Sequence, residues 1–390
     1  MAGVPPNISP ARENRDPTAS GGFQPSRRDD FGLTLPLGHY RAVFCALDRV
    51  RFSDYSGSTW RGAFGHALRA IACSTGAPQC AGCPHLAACA YAGIFETGPS
   101  PSTDRMRLYN EVPRPFVLRA SESAEYAAGS LTELQFVLIG RANDHLALII
   151  SALSRAGRHG LTDRRARLEL IAVDQQTDSG WLAVQRADTP LHAFPLKPQV
   201  PPPCPTDAVT LAFETPLRLI RDGRLVTAQS FRFDALFSTL IRRISMLGYF
   251  HAALELELDF AGLVDAARKI NPLHAELHWR EWQRHSNRQR RAVDMSGLQG
   301  RVVFNGPDLA PFWPFLWLGQ WTHVGKGAVM GLGRYSIQAA SLRNQTDVRH
   351  PPKVASARPA PKEASEARTV QDGMDAAALH IQKSRQRNRK

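Results

Sequence analysis

The 390-residue sequence has no apolar run approaching the ~18 residues of a membrane span, which argues against a membrane partner. Its opening, MAGVPPNISPARENRDPTASGGF, lacks the apolar core of a signal peptide, so a cytoplasmic location is expected. Cysteines are few, 6 in all, and Cys45 and Cys204 stand apart from the rest, which argues against a secreted disulfide framework. Acidic residues are in deficit: 35 Asp and Glu against 48 Lys and Arg leave a net charge of +13. Such a surface attracts polyanions, nucleic acid ahead of membrane. The usual nucleotide signatures are missing too. HVGKGAVMGLGRY, from His323 to Tyr335, has the glycine density of a phosphate loop, but no Ser or Thr follows Lys326 and no G-x-x-x-x-G-K-[ST] spacing can be drawn. Met330 stands where a dinucleotide fingerprint needs its third glycine, and no βαβ unit follows.

What is present divides into five segments. Residues 1–35 and 341–390 are rich in Pro, Ser, Gly, Ala and charge, too poor in large apolar groups to offset the entropy of ordering, and are expected to be disordered. The second holds 11 basic and 5 acidic residues, and its closing KSRQRNRK is read as a solvated basic tail rather than an RNA-binding arm. Residues 196–206 carry too much proline for a central strand or helix interior and read as a linker. It separates a first domain, 36–195, from a second, 207–340. In the first, strands are expected from His39, Leu131 and Arg165, with helices over Thr59–Cys73 and from Asp144 to a stop at Gly157. In the second, strands are expected from Ala208, His274, Gly300 and Gly333, and helices from Phe233 and Asp308. The order β-α-β-β-α-β in each half predicts an α+β chain of two tandem ferredoxin-like (RRM-like) domains, with a cysteine-rich insertion, 73–97, in the first.

Three local patterns carry chemistry. In TWRGAFGHALRAIAC, helical winding puts Trp60, Ala63, Phe64, Ala67, Leu68 and Ile71 on one arc and Arg61, Gly62, Gly65, His66 and Arg69 on the other. Two interior glycines cost about 1 kcal/mol each in an exposed helix, so that polar arc suggests the close approach of an anion, against the plainer alternative of glycines opposed to a neighbouring element. Cys73, Cys80, Cys83 and Cys89 suit a tetrahedral structural zinc site; His85 as a substitute ligand, an iron–sulfur cluster, and a loop that packs without metal are the alternatives. WREWQRHSNRQRR interleaves Trp279 and Trp282 with Arg280, Arg284, Arg288, Arg290 and Arg291, as in a hairpin that pairs with phosphate and stacks on bases; a core role for the tryptophans is equally open.

HVGKGAVMGLGRY resembles the C-terminal glycine-rich loop of the RAMP superfamily, in particular of CRISPR-associated endoribonucleases that process precursor crRNA. RGAFGHALR at 61–69, CAGCPHLAACAYAGIFE at 80–96 and RHSNRQ at 284–289 agree with that family in order, across about residues 36–340. His285 stands where the family's stretch is usually aromatic. The resemblance implies cleavage of CRISPR repeat RNA without a catalytic metal, by attack of the ribose 2′-hydroxyl, leaving a 2′,3′-cyclic phosphate and a 5′-hydroxyl. It also implies His66 as general base, with His285 and His323 in reserve. Tyr55 would orient or protonate, and Arg61, Arg69 and Lys326 would hold phosphate. Gly325, Gly327, Gly331 and Gly333 would let backbone N–H groups approach RNA beside Lys326 and Arg334, form a tight connection packed between the domains, or do both. The partners implied are repeat RNA and crRNA, together with other CRISPR effector subunits. The alternative function is a non-catalytic crRNA-binding subunit of such an effector.

Overall fold

Alternating apolar residues build two antiparallel sheets, each backed by helices. The computed structural model describes residues 33–340 except 53–54, 99–111, 122–124, 163, 187–188, 197–198 and 287–290. The first half runs β1 (Leu37–Ala46), α1 (Gly57–Ala72), α2 (Ala90–Ile94), β2 (Phe116–Arg119), β3 (Leu131–Ile139), α3 (Leu146–His159), β4 (Leu168–Thr177) and β5 (Gly180–Arg186). The strands line up β2-β3-β1-β4-β5. Central β1 sets Tyr40 opposite Phe136 on one side and opposite Gln175 on the other.

The second half runs β6 (Ala208–Leu217), α4 (Phe233–Ala252), α5 (Phe260–Ala267), β7 (His274–Arg280), β8 (Gln283–Ser286), β9 (Arg291–Asp294), β10 (Gly297–Asn305), α6 (Trp313–Thr322) and β11 (Tyr335–Ala340). Its sheet is ordered β7-β10-β6-β11, and β8 pairs with β9 as a separate hairpin. The expected partnership of the stretches from His274 and Gly300 is present as the β7–β10 pairing. Among the described residues, no helix is long and apolar enough to cross a membrane.

Strand alternation decides how the halves meet. Phe116, Leu118, Phe136 and Leu138 join a cluster with α1 and α3, while Val117, Val137 and Ile139, on the opposite face, join one containing Val209, Leu211, Phe237 and Phe315. One hydrophobic cluster therefore runs across both halves. It also takes in Leu33 and Leu35, at 5% and 0% exposure, which corrects the assignment of those positions to a disordered segment. The proline-rich stretch lies against the second half: Trp313 Nε1 donates to the Pro202 carbonyl at 2.6 Å, and the Cys204 thiol to the Gly306 carbonyl at 3.3 Å.

Helix α3 continues past Gly157 and is capped at Gly160, φ 88°. Gly157 does not end the helix because it serves packing instead; a Cβ there would lie 2.7 Å from the Leu168 carbonyl oxygen. β2, β5, α2 and α5 were not expected. In α5, the Asp259 carboxylate caps the helix by accepting the Gly262 N–H at 2.9 Å.

Candidate nucleic-acid interface

Helix α1 buries Trp60, Phe64, Ala67 and Leu68 and leaves His66 exposed. The expected arcs are present in part: Arg61, His66 and Arg69 are at least partly exposed, but Gly65 is buried and Ile71, expected on the apolar arc, is 40% exposed. The Arg61 guanidinium lies over the Phe95 ring at 4.7 Å and that of Arg69 over Tyr91 at 5.8 Å, while Arg69 Nη2 also donates to the Ala77 carbonyl. Gly65 is buried against Phe95, whose ring a Cβ would strike, so this glycine answers to an aromatic neighbour and not to an anion. Gly62 is the contrast: no atom stands within 4 Å of where its Cβ would be. Gly62 lies one turn before His66, so the position beside the exposed imidazole carries no side chain.

The glycine-rich connection joins α6 to β11, and all four of its glycines have positive φ: Gly325 88°, Gly327 82°, Gly331 97° and Gly333 64°. Would-be Cβ atoms meet the Arg218 carbonyl at Gly325, Leu332 at Gly327, the Leu118 carbonyl and Tyr55 hydroxyl at Gly331, and the Val324 carbonyl at Gly333. The N–H groups of Val324, Lys326, Met330, Gly331, Leu332 and Gly333 donate to protein carbonyls, and that of Arg334 to Thr215 Oγ1. Those amides are taken up by protein acceptors, and the glycines make a tight connection between the halves, one of the two compatible roles expected for them. Lys326 remains exposed, and Arg334 Nε pairs with Glu214 at 2.6 Å.

Tyr55 and His323 are placed inside. Tyr55 is 3% exposed, its ring packs on Trp282 at 4.5 Å, and its hydroxyl donates to the Met330 carbonyl. That proton is committed to a backbone acceptor, which corrects the expectation of a proton donor to RNA. His323 is fully enclosed with Nδ1 3.3 Å from the Leu332 carbonyl. Burial, with the nearby charges of Arg119, Arg334 and Arg243, holds its pKa well below the ordinary value, and no ribose can reach it. Arg119 and Arg243 are themselves pushed down to about 10 by burial.

Arg284 and His285 stand on β8 and Arg291 on β9, the strands of the expected hairpin; Arg288 lies outside the described residues. Trp279 on β7 is 39% exposed, whereas Trp282 is buried at 3% beneath Tyr55 and cannot serve as a base platform. Cys73, Cys80, Cys83 and Cys89 line one small, partly open pocket together with His85. Sequence reasoning missed Tyr91 and Phe95, the aromatic seats of Arg69 and Arg61. Their spacing of four, from within the short helix α2 to its C-cap, was the available signal.

Residues 211–335 match the family model described as CRISPR-associated endoribonuclease Cas6, and residues 35–194 match a model described as an N-terminal domain. No curated protein matches the chain. Among solved structures, it resembles a partial Cas6-RT-Cas1–Cas2 complex at 13% identity and TM-score 0.47, covering 84% of this chain and 49% of that one. The chain thus spans about half the length of that relative. A Cas6 product complex is similar at 14% identity and TM-score 0.48, covering 77% of this chain and 99% of that one. A Thermus thermophilus Cas6 is similar at 11% identity and TM-score 0.45, covering 78% and 99% respectively.

Proposed function

The chain belongs, through residues 211–335, to the CRISPR-associated endoribonuclease Cas6 family, and from that premise we propose that it cuts CRISPR repeat RNA to release mature crRNA. The family match carries this conclusion; the exposed His66 between Arg61 and Arg69 supports the location of the site. The two halves are taken as tandem ferredoxin-like domains, with residues 73–97 inserted in the first. His66 takes the proton from the ribose 2′-hydroxyl, which attacks the adjacent phosphorus and expels the 5′-oxygen, leaving a 2′,3′-cyclic phosphate and a 5′-hydroxyl. Arg61 and Arg69, held on their aromatic rings, face the charge that builds on the phosphate. The open position at Gly62 admits the RNA backbone.

The glycine connection meets α1 at Gly57, where a Cβ would lie 2.1 Å from the Met330 carbonyl oxygen. His66 is farther along the helix by about 14 Å at 1.5 Å per residue. We therefore assign Lys326 and Arg334 to phosphates flanking the cut rather than to the scissile one. The arginines of the β8–β9 hairpin hold RNA outside the site, and the product stays bound for delivery to other CRISPR effector subunits.

The test is cleavage of the cognate repeat in excess EDTA by the native protein and by His66→Ala, with binding measured on both. Native cleavage to a cyclic phosphate, lost by about 10²–10⁴-fold in a variant that still binds, is expected. Equal cleavage by the variant moves the base to another residue, with His285 next, since His323 is enclosed. Tight binding without cleavage by either protein makes the chain a non-catalytic RNA-binding subunit.

A further inference from the structure

Cys73, Cys80, Cys83 and Cys89 come from three places in the fold and face one cavity. Cys73 is the C-cap of α1, Cys89 is the N-cap of α2, and Cys80 and Cys83 flank the turn between them. That turn has a defined form: the Cys83 N–H donates to the Cys80 carbonyl at 3.1 Å, and Gly82 between them has φ 76°. Nothing stands within 4 Å of a Cβ at Gly82, so the glycine is there for its dihedral, the positive φ that a type II turn requires at its third residue. Thr75 Oγ1 lies 3.8 Å from the Cys73 sulfur and 3.7 Å from that of Cys83, so one hydroxyl spans two of the thiols. None of the four is in a disulfide.

The segment around them has little else to hold it. From Ser74 to Ala88 every residue is exposed or half-buried, and Leu86, its one large aliphatic side chain, is 39% exposed. A loop that buries so little needs a covalent or coordinate staple to keep one shape. Yet it leads directly into α2 and its Tyr91, 5% exposed, and on to Phe95, 7% exposed, both packed in the first-half core.

We propose that the four cysteines bind one zinc-class divalent ion as thiolates, and that the ion fixes the insertion against α1 so that Tyr91 and Phe95 seat Arg69 and Arg61. Binding releases the thiol protons to solvent and forms four metal–sulfur bonds of about 2.3 Å. Among the described residues, no three His, Cys, Asp or Glu side chains yet stand in ligating geometry. The half-exposed cysteine side chains close on the cavity by changing between staggered rotamers. Four thiolates complete a tetrahedron and leave no open position, so the ion is structural. His85, also on the cavity wall, is not a ligand in this assignment.

The test uses the full chain purified without chelator. One zinc per chain by elemental analysis is expected. Replacement by Co²⁺ should give the visible bands of a tetrahedral site and a strong thiolate-to-metal charge-transfer band in the near ultraviolet. Cys83→Ser should lose metal and band while Cys204→Ser and His85→Ala keep both. Absence of metal from the native chain, with four thiols reacting freely with a disulfide reagent, overturns the site. So does iron with inorganic sulfide. Hydrogen exchange before and after zinc removal tests the second half of the proposal: protection should fall over 73–97 and stay unchanged in β1 and β6. Equal exchange throughout overturns the ordering role. Neither readout uses RNA, so a failure here is distinct from a failure of the cleavage assay.

Discussion

The Tyr55 hydroxyl donates to the carbonyl of Met330, tying the turn that enters α1 to the glycine connection of the second half. Trp282 closes the arrangement from the other side, its ring 4.5 Å from that of Tyr55. Tyr55→Phe keeps the ring and removes the hydrogen bond. It should destabilise the protein by about 1 kcal/mol in urea titration and leave repeat cleavage within a few-fold of native. A loss of cleavage on the scale expected for His66→Ala would restore Tyr55 as a proton donor.

Two glycines should respond in opposite directions. At Gly331, φ is 97° and a Cβ would stand 2.5 Å from the Leu118 carbonyl oxygen. Gly331→Ala should cost about 2 kcal/mol or more, read as a lowered denaturation midpoint. Gly62 lies in helical backbone with open space around it, so Gly62→Ala should stabilise by about 1 kcal/mol. If RNA crosses this position beside His66, that more stable variant should bind repeat RNA more weakly, and unchanged affinity would move the RNA elsewhere.

Buried histidines make stability depend on pH. Burial lowers the His251 pKa to about 4, although its Nε2 hydrogen-bonds the Pro113 carbonyl at 2.8 Å, and lowers that of His39 to about 3. In the unfolded chain both titrate near 6.5. As pH falls below that value the unfolded state binds protons that the native state refuses, so stability is present above the unfolded pKa and is lost toward the folded one. Between pH 6.5 and 5 the loss should be about 1.5 kcal/mol per histidine. Denaturation midpoints at several pH values would show it, and His251→Gln should flatten the slope.

Asp174 holds two cations from neighbouring strands, Arg41 at 2.8 Å and Arg186 at 2.7 Å, with its own side chain 5% exposed. Asp174→Asn removes the near counter-charge of both guanidiniums, leaving Arg41 only the more distant Glu133 carboxylate at 4.0 Å. Because Arg41 and Arg186 are 23% and 45% exposed, water relieves part of the cost, and a destabilisation of about 2 kcal/mol is expected in chemical denaturation. A change below ~0.5 kcal/mol would place the pair among those that surface water makes negligible.

Much of the architecture was legible in the sequence. β6 and α4 begin where their apolar periodicity starts, at Ala208 and Phe233, because long amphipathic segments declare their period locally. Short elements did not: β2 has four residues, and α5 has eight, too few turns for a period to stand out. The candidate site was legible in composition and less so in arrangement. His66 lies on an exposed face as its helical position requires, but Tyr55, Trp282 and His323 have the residue types of a site and the burial of a core.

The sequence by itself determined the basic charge, the two periodic α+β halves, the clustering of four thiols within one short segment, and the need for positive φ at the connection glycines. Each is a property of neighbouring residues, set by side-chain chemistry, amphipathic spacing or the missing Cβ. Only the tertiary structure decided that Gly65 lies under Phe95 while Gly62 stays open, and that the hydroxyl of Tyr55 belongs to Met330. Those outcomes depend on which surfaces meet after the chain has folded: Tyr55 and Met330 are 275 residues apart, and no local pattern records the burial that their contact imposes.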